Sequence, residues 1–257
     1  MSLKNIKDLG LAKKRHMHNQ REEFISVVIP AFNESERIVP TIERINEYLV
    51  SHFQGFEIIV VDDGSKDHTG ELVLNAKQKI KSLTCVRYEE NRGKGHAIRR
   101  GVSSSKGDII LISDADLSTP IEEMEKLLVQ FDKGYDIVIG SRALKDSDIA
   151  IRQPWWRECM GKTFNRFVRF LILDGFMDTQ CGFKLFKGDS GRKIFQKATI
   201  DRFAYDVEVL YIAKEEGFKI KEVPIRWLNS PASKVRPVED SLQAMKDLIR
   251  IKVRKPR

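Results

Sequence analysis

The chain has 257 residues, 41% hydrophobic and 32% charged, with a formal net charge of +8. That length suits one large domain with appendages, and the balance excludes global disorder while pointing to an anionic partner: nucleic acid, an acidic membrane face or a phosphorylated substrate. Three cysteines, Cys85, Cys159 and Cys181, share no metal-type spacing. They exclude a disulfide scaffold and suit a reducing compartment.

Residues 1–23 form a polar, basic extension without the apolar core of a secretory signal. From Phe24 onward, β-branched runs alternate with helical patterns. Strands are predicted at 26–29, 58–61, 84–87, 109–112 and 137–139, and helices at 38–53, 69–82, 95–104 and 121–132. The last helix carries Ile121, Met124, Leu128 and Phe131 on one face, behind a Thr119-Pro120 start. Apolar strands alternating with helices predict an α/β fold, a mostly parallel, doubly wound sheet buried on both faces.

After Arg142 the rhythm changes. A loop is expected over 143–153, a helix over 154–173, a strand over 182–186, a helix near 206–216, a strand over 220–226 and a last helix over 238–254. The reading therefore divides the chain into a nucleotide-binding half (24–142), an acceptor half (143–237) and a basic amphipathic C-terminal helix (238–257). No apolar tract approaches the roughly 20 residues that span a bilayer, so membrane contact is expected to be peripheral.

Ligands of open α/β sheets sit beyond the carboxyl ends of the strands. Strand one ends in Pro30-Ala31-Phe32-Asn33-Glu34, strand two in Asp62-Asp63-Gly64-Ser65, and strand four in Asp114-Ala115-Asp116. One Asp-rich turn alone reads as a turn or helix cap. Three acidic clusters at neighbouring strand ends would repel one another unless a cation or a hydrogen-bonding ligand sat among them. In extended backbone, the i and i+2 side chains of Asp114 and Asp116 point the same way and could share one divalent ion, Mg²⁺ or Mn²⁺, bridging a diphosphate. Asn91-Arg92-Gly93-Lys94-Gly95 is a basic glycine turn that opens a helix. It reads either as an anion-facing turn or as a plain turn after strand three. The five histidines show no ligand spacing beyond His16-x-His18.

Together these stretches resemble the signature series of family 2 glycosyltransferases with the GT-A fold, in order and spacing as well as identity. Gly140-Ser141-Arg142 and the run Asp178-Thr179-Gln180-Cys181-Gly182-Phe183-Lys184 resemble the branch acting on dolichyl or polyprenyl phosphate with glucose or mannose. The resemblance implies an inverting hexosyltransferase, with glucose from UDP-glucose favoured over mannose from GDP-mannose, and a polyprenyl-phosphate acceptor. It implies that Pro30, Ala31, Asn33, Glu34 and Asp62 hold the nucleoside, that Asp63 and Lys94 lie near ribose and diphosphate, and that Asp114, Ala115 and Asp116 lie near metal and sugar. Arg142 would face phosphate. Asp178 and Gln180 would sit by sugar and acceptor, with Asp206 and Glu208 nearby, and Ser233 and Lys234 would close over the nucleotide. Asp116, Asp178 and Arg142 are the expected catalytic residues. Asp178 is the first candidate base if the acceptor is a hydroxyl, and Arg152 is a second candidate cation beside Arg142.

At ~100° per residue, Trp156, Met160, Phe164, Phe167 and Leu171 fall on one stripe, with Lys162, Arg166 and Arg169 opposite. In the last helix Leu242, Met245 and Ile249 form a stripe flanked by Lys246, Arg250, Lys252, Arg254, Lys255 and Arg257. Each reads either as a core-packing helix with a solvated face or as an interfacial helix on an anionic membrane. The second reading implies a cytoplasmic protein held peripherally on the cytoplasmic face of a membrane. Two other classes fit parts of the pattern. A nucleic-acid-binding protein would suit the charge, but no such motif appears and the acidic loops would repel phosphate backbones, so no nucleic acid is expected. A nucleotidyltransferase would show a glycine-rich basic loop after strand one, where Pro30-Ala31-Phe32-Asn33-Glu34 stands.

Overall fold

In the computed structural model, residues 20–151, 155–229 and 237–253 are described. In chain order the strands are β1 (Ile25–Ala31), β2 (Phe56–Asp63), β3 (Leu83–Tyr88), β4 (Ile109–Ile112), β5 (Ile137–Ser141), β6 (Asp148–Ile151), β7 (Lys184–Lys187), β8 (Ile220–Pro224) and β9 (Arg226–Leu228). The helices are α1 (Ile38–His52), α2 (Thr69–Lys79), α3 (Lys94–Ser104), α4 (Met124–Phe131), α5 (Trp155–Leu171), α6 (Gly188–Lys197), α7 (Tyr205–Glu215) and α8 (Pro237–Val253). A 3₁₀ turn, Ile121–Glu123, precedes α4 where a continuous helix is expected.

Seven strands form one sheet in the order β3-β2-β1-β4-β7-β5-β8. Every pairing in it is parallel except those of β7, which runs antiparallel between β4 and β5. The α/β, mostly parallel, doubly wound architecture is therefore observed. Strand alternation explains both faces. Ile25, Val27, Ile29, Ile58, Val60 and Leu111 pack under α1, α2 and α4, whereas Val28, Ile110, Ile112, Ile137 and Phe186 pack under α3, α6 and α7. Reversal at β4–β7–β5 leaves a crevice at the carboxyl ends of β1, β2 and β4, the place where open α/β sheets hold ligands.

Four features depart from expectation. The stretch read as a loop contains β6, which pairs in parallel with β9 as a separate two-stranded sheet. The strand expected over 220–226 is two strands, β8 and β9, broken at Ile225. Helix α6 follows β7 directly, and its polar sequence, with two glycines in GDSGRKIFQK, hid it from a propensity reading. In α5 the apolar stripe is turned. Val168 is wholly buried with Phe164 packed against the same core, while Phe167 and Phe170, 86% exposed, point outward with Met160. Phe170 lies two residues, ~200°, from Val168, so burying one exposes the other. The side chains of Trp156, which opens the expected stripe, and of Lys162 on the opposite face lie outside the described residues, as do Arg152, Ser233 and Lys234. No helix among the described residues is long and apolar enough to cross a membrane.

Candidate active site

The first strand end is built by hydrogen bonds between loops. Asn33, at a φ of 55°, donates its amide to Ser65 Oγ (2.9 Å) and accepts at Oδ1 from the Lys66 amide (2.8 Å). The Glu34 amide donates to Thr69 Oγ1 (2.8 Å), and the Glu34 carboxylate is paired with Arg37. Asparagine tolerates the left-handed region better than most residues, which is why it stands at this sharp exit from β1. Pro30 and buried Ala31 form the floor behind it.

The two acids ending β2 have different employments. Asp62 is fully buried. Its Oδ1 accepts from the Ser65 amide (3.0 Å), while Oδ2 has no hydrogen-bond partner, although Arg87 Nε lies 3.2 Å away. The Arg87 guanidinium meets the charge of this buried carboxylate, and Oδ2 keeps unused capacity to accept a hydrogen bond. Asp63, expected near ribose and diphosphate, is held by hydrogen bonds from the chain itself. Its Oδ2 accepts from Asn91 Nδ2 and the Gly93 amide (both 2.8 Å), and its Oδ1 from the Arg92 amide (2.9 Å). That clamp shapes the basic turn before α3. Gly93 sits at a φ of 108°, where an added Cβ would also lie 2.5 Å from the Asp201 carbonyl.

Turned back by that clamp, Lys94 places its Nζ 2.6 Å from Asp114 Oδ1. Against the upward push of burial, the Lys94 ammonium holds the Asp114 carboxyl below the usual range. The other Asp114 oxygen rests on Gly182, where a Cβ would lie 1.9 Å away. Asp116 is freer. Its Oδ1 accepts from the Ser118 amide (2.9 Å), and no hydrogen bond among the described residues reaches its Oδ2. Among the described residues no three carboxylates, histidines or cysteines are grouped to hold a metal. One or two carboxylates are nonetheless the usual protein share of a Mg²⁺ or Mn²⁺ whose remaining ligands are substrate phosphates and water. Asp116 and Asp114 fit that share.

Across the crevice, Arg142 and Asp178 form a bidentate pair. Arg142 Nε donates to Asp178 Oδ2 (2.7 Å) and Nη2 to Oδ1 (2.9 Å), and the Arg142 amide adds a third bond to Oδ2 (3.0 Å). The Gln180 amide donates to Asp178 Oδ1 (3.2 Å). Burial pushes the Asp178 carboxyl up, but the guanidinium outweighs it and holds the group below its ordinary range. A general base works best with a pKa near the operating pH, so Asp178 is a poor proton acceptor and a good anchor for Arg142. Arg142 is near enough to help lower Asp114 as well.

Two further acids expected by the acceptor are likewise committed. Glu208 accepts from the Thr199 and Ile200 amides (2.9 and 2.8 Å) and from Thr199 Oγ1 (2.9 Å), fixing the turn before α7. Asp206 is ion-paired with Lys184, both almost wholly buried. Lys184, Trp227 and Arg87 were not singled out from sequence. A lysine inside the apolar run Phe183-Lys184-Leu185-Phe186 was the available signal for the first, because a charge on a buried strand requires a partner.

Comparison with known proteins gives the family and the fold. Residues 26–195 match the family model "Glycosyl transferase family 2". The chain is 37% identical to a dolichyl-phosphate beta-glucosyltransferase of Dictyostelium discoideum over 243 residues, covering 90% of this chain and 74% of the relative. It is 36% identical to the human protein of the same description, covering 90% and 75%. Among solved structures, glucosyl-3-phosphoglycerate synthase from Mycobacterium tuberculosis with Mn²⁺ and UDP-glucose superposes at a TM-score of 0.65. That match covers 91% of this chain and 80% of the other at 20% identity, a likeness of fold.

Proposed function

This chain belongs to glycosyl transferase family 2, and from that premise we propose that it transfers glucose from UDP-glucose to a polyprenyl phosphate of the dolichyl type, with inversion at the anomeric carbon. The observation that carries the acceptor class is Arg142, a guanidinium fixed on Asp178 close enough to act on Asp114. A phosphate monoester has its second pKa near ~6 and reaches the site already anionic, so it needs positioning and a cation rather than a base. A hydroxyl acceptor would need a base, and Asp178, the first candidate, is tied to Arg142, while the nearby Asp206 and Glu208 are tied to Lys184 and the Thr199–Ile200 amides. That favours the phosphate.

In this reading Asp62 Oδ2 and the Asn33–Glu34 exit hold the nucleoside. Lys94, released from Asp114 when the donor binds, meets the diphosphate. Gln180 lines the sugar side. Asp116 and Asp114 would hold Mg²⁺ or Mn²⁺. Such an ion, when bound, supplies Lewis-acid stabilisation of the departing diphosphate. Arg142 orients the acceptor phosphate for attack, turning an α-linked donor into a β-linked product. With UDP-glucose, Mn²⁺ and farnesyl phosphate, the expected products are a glucosyl-phospholipid and UDP. Transfer to 3-phosphoglycerate but not to farnesyl phosphate would overturn the acceptor class, and release of pyrophosphate would overturn the reaction.

Peripheral attachment to an anionic membrane is part of the proposal. Its support is the outward face of α5, where Met160, Phe167 and Phe170 stand beside Arg166 and Arg169, together with exposed Ile249 and Val253 on α8, whose last turn carries Arg250 and Lys252. Insertion of a phenyl ring contributes ~2 kcal/mol and each basic residue near the surface ~1 kcal/mol. Phe170→Glu should therefore weaken co-sedimentation with anionic vesicles at low salt by at least about tenfold. Wild-type binding should fade as salt shortens the Debye length. No sedimentation of the wild type under those conditions would defeat the membrane attachment.

A further inference from the structure

We propose that Trp227 is a positioning residue for the acceptor phosphate, acting through Arg142. The proposal rests on the reading that Arg142 receives that phosphate. Arg142 leaves the end of β5, and its guanidinium is three-quarters buried between two partners. Asp178 takes Nε and Nη2 in the plane of the group, and Arg142 Cζ stands over the Trp227 ring, 5.5 Å from its centre. Nη1 carries no hydrogen bond among the described residues.

The two contacts restrain different motions. A bidentate fork fixes the direction of the guanidinium within its plane but leaves a hinge about the line through the two carboxylate oxygens. An aromatic ring under the cation restrains that hinge, because swinging the guanidinium away from the ring loses the quadrupole attraction. With both partners in place, the free Nη1 edge has one orientation.

The strand carrying Trp227 is itself tied to both sides of the crevice. The Ile225 amide donates to the Ser141 carbonyl (3.2 Å), one residue before Arg142. The Leu228 amide donates to the Ser118 carbonyl (2.7 Å), and Ser118 caps Asp116. The Arg226 amide donates to Glu123 Oε2 (3.0 Å), below the same loop. On its other edge, β9 pairs with β6, with Ile149 opposite Trp227. The small β6–β9 sheet thus sets the indole by reference to the donor-side loop and the acceptor-side arginine at once. The pair is a separate two-stranded sheet whose Trp227 also packs against the main core, so a packing role is what the test must separate from positioning.

Steady-state kinetics with UDP-glucose and farnesyl phosphate test this, with UDP affinity as a separate readout. Trp227→Leu should raise KM for farnesyl phosphate about tenfold while KM for UDP-glucose and the Kd for UDP stay at wild-type values. Trp227→Phe, which keeps a weaker aromatic face, should recover most of that loss. An unchanged acceptor KM in Trp227→Leu overturns the proposal. So does a parallel rise in the donor KM, or lost UDP binding, either of which marks a structural role. Arg142→Gln separates the two levels: an acceptor KM unchanged in that variant overturns the underlying reading. A raised KM there with a normal Trp227→Leu overturns only the positioning role.

Discussion

Asp116→Ala should lower glucose transfer by about a thousandfold and remove its response to Mn²⁺, while lowering the melting temperature of the ligand-free protein by only about 2–4 °C. The expectation comes from the unequal situations of the two acids in Asp114-Ala115-Asp116. Asp114 already has the Lys94 ammonium on one oxygen and Gly182 against the other, so its charge is matched within the protein. Asp116 gives one oxygen to the Ser118 amide, and the loop leaves at Leu117 with a φ of 46°, turning the chain immediately beyond the carboxylate. A non-glycine residue held there stores about 1 kcal/mol of backbone strain, of the kind that persists where geometry serves a ligand. On the proposed reading, losing the Asp116 carboxylate removes an interaction made to substrate and cation, and costs the fold one hydrogen bond from the Ser118 amide. Asp114→Ala should behave differently. It strands Lys94 and so should lower both activity and stability. Comparing the two variants by turnover with Mn²⁺ or chelator, and by thermal melting without ligand, checks the assignment. Chelator-resistant activity in the wild type would sink the role of the metal.

What could be read from the sequence follows the reach of the interactions involved. Strands such as Ile109–Ile112 and the helix beginning at Ile38 announce themselves because their signals are local: an apolar run, or an apolar period of 3.6. The acidic strand ends were legible for the same reason, since the chain must turn there and the residues stand together. What each acid does was not legible. Asp62 and Asp63 are neighbours of identical type, yet one keeps an oxygen open and the other is consumed by Asn91, Arg92 and Gly93, about 30 residues on. Glu208 is spent on Thr199 and Ile200, and Asp178 on Arg142, 36 residues away. The facing of α5 is not legible because a helix with apolar residues on two sides offers two candidate stripes, and only burial in the common core selects the one holding Phe164 and Val168. β6 escaped notice because Asp148–Ile151 is short and its partner lies some 80 residues later.

Lys184→Met should be the most destabilising single change in the site region, by about 3–5 kcal/mol, lowering the melting temperature by roughly 10 °C. Lys184 and Asp206 are ion-paired with side chains 1% and 5% exposed, and Lys184 Nζ also donates to the Cys181 carbonyl. With the ammonium gone, Asp206 is left charged in a dry site with Tyr205, whose hydroxyl already has no hydrogen-bond partner. Burial pushes the Asp206 carboxyl above its usual range even with Lys184 and Lys94 pulling it down. Without Lys184 it should rise further and take up a proton on folding. The sign follows from linkage. A carboxyl whose folded pKa lies above its unfolded value stabilises the fold below the unfolded pKa and loses that contribution as pH rises through the folded one. The Lys184→Met variant should therefore be least impaired in mild acid and most impaired above neutrality. Arg142–Asp178 has the opposite slope: its lowered carboxyl contributes above the ordinary carboxylate pKa and fades as pH falls through the folded value. Melting curves of wild type, Lys184→Met and the double variant Lys184→Met/Asp206→Leu across pH 5–8 decide the matter. Replacing both charges by apolar groups of similar size removes the stranded acid, so the double variant should regain most of the lost stability and lose the pH slope. A double variant no better than Lys184→Met alone would mean that packing around the lysine stem, and not charge pairing beneath Lys94 and Asp114, is what Lys184 supplies.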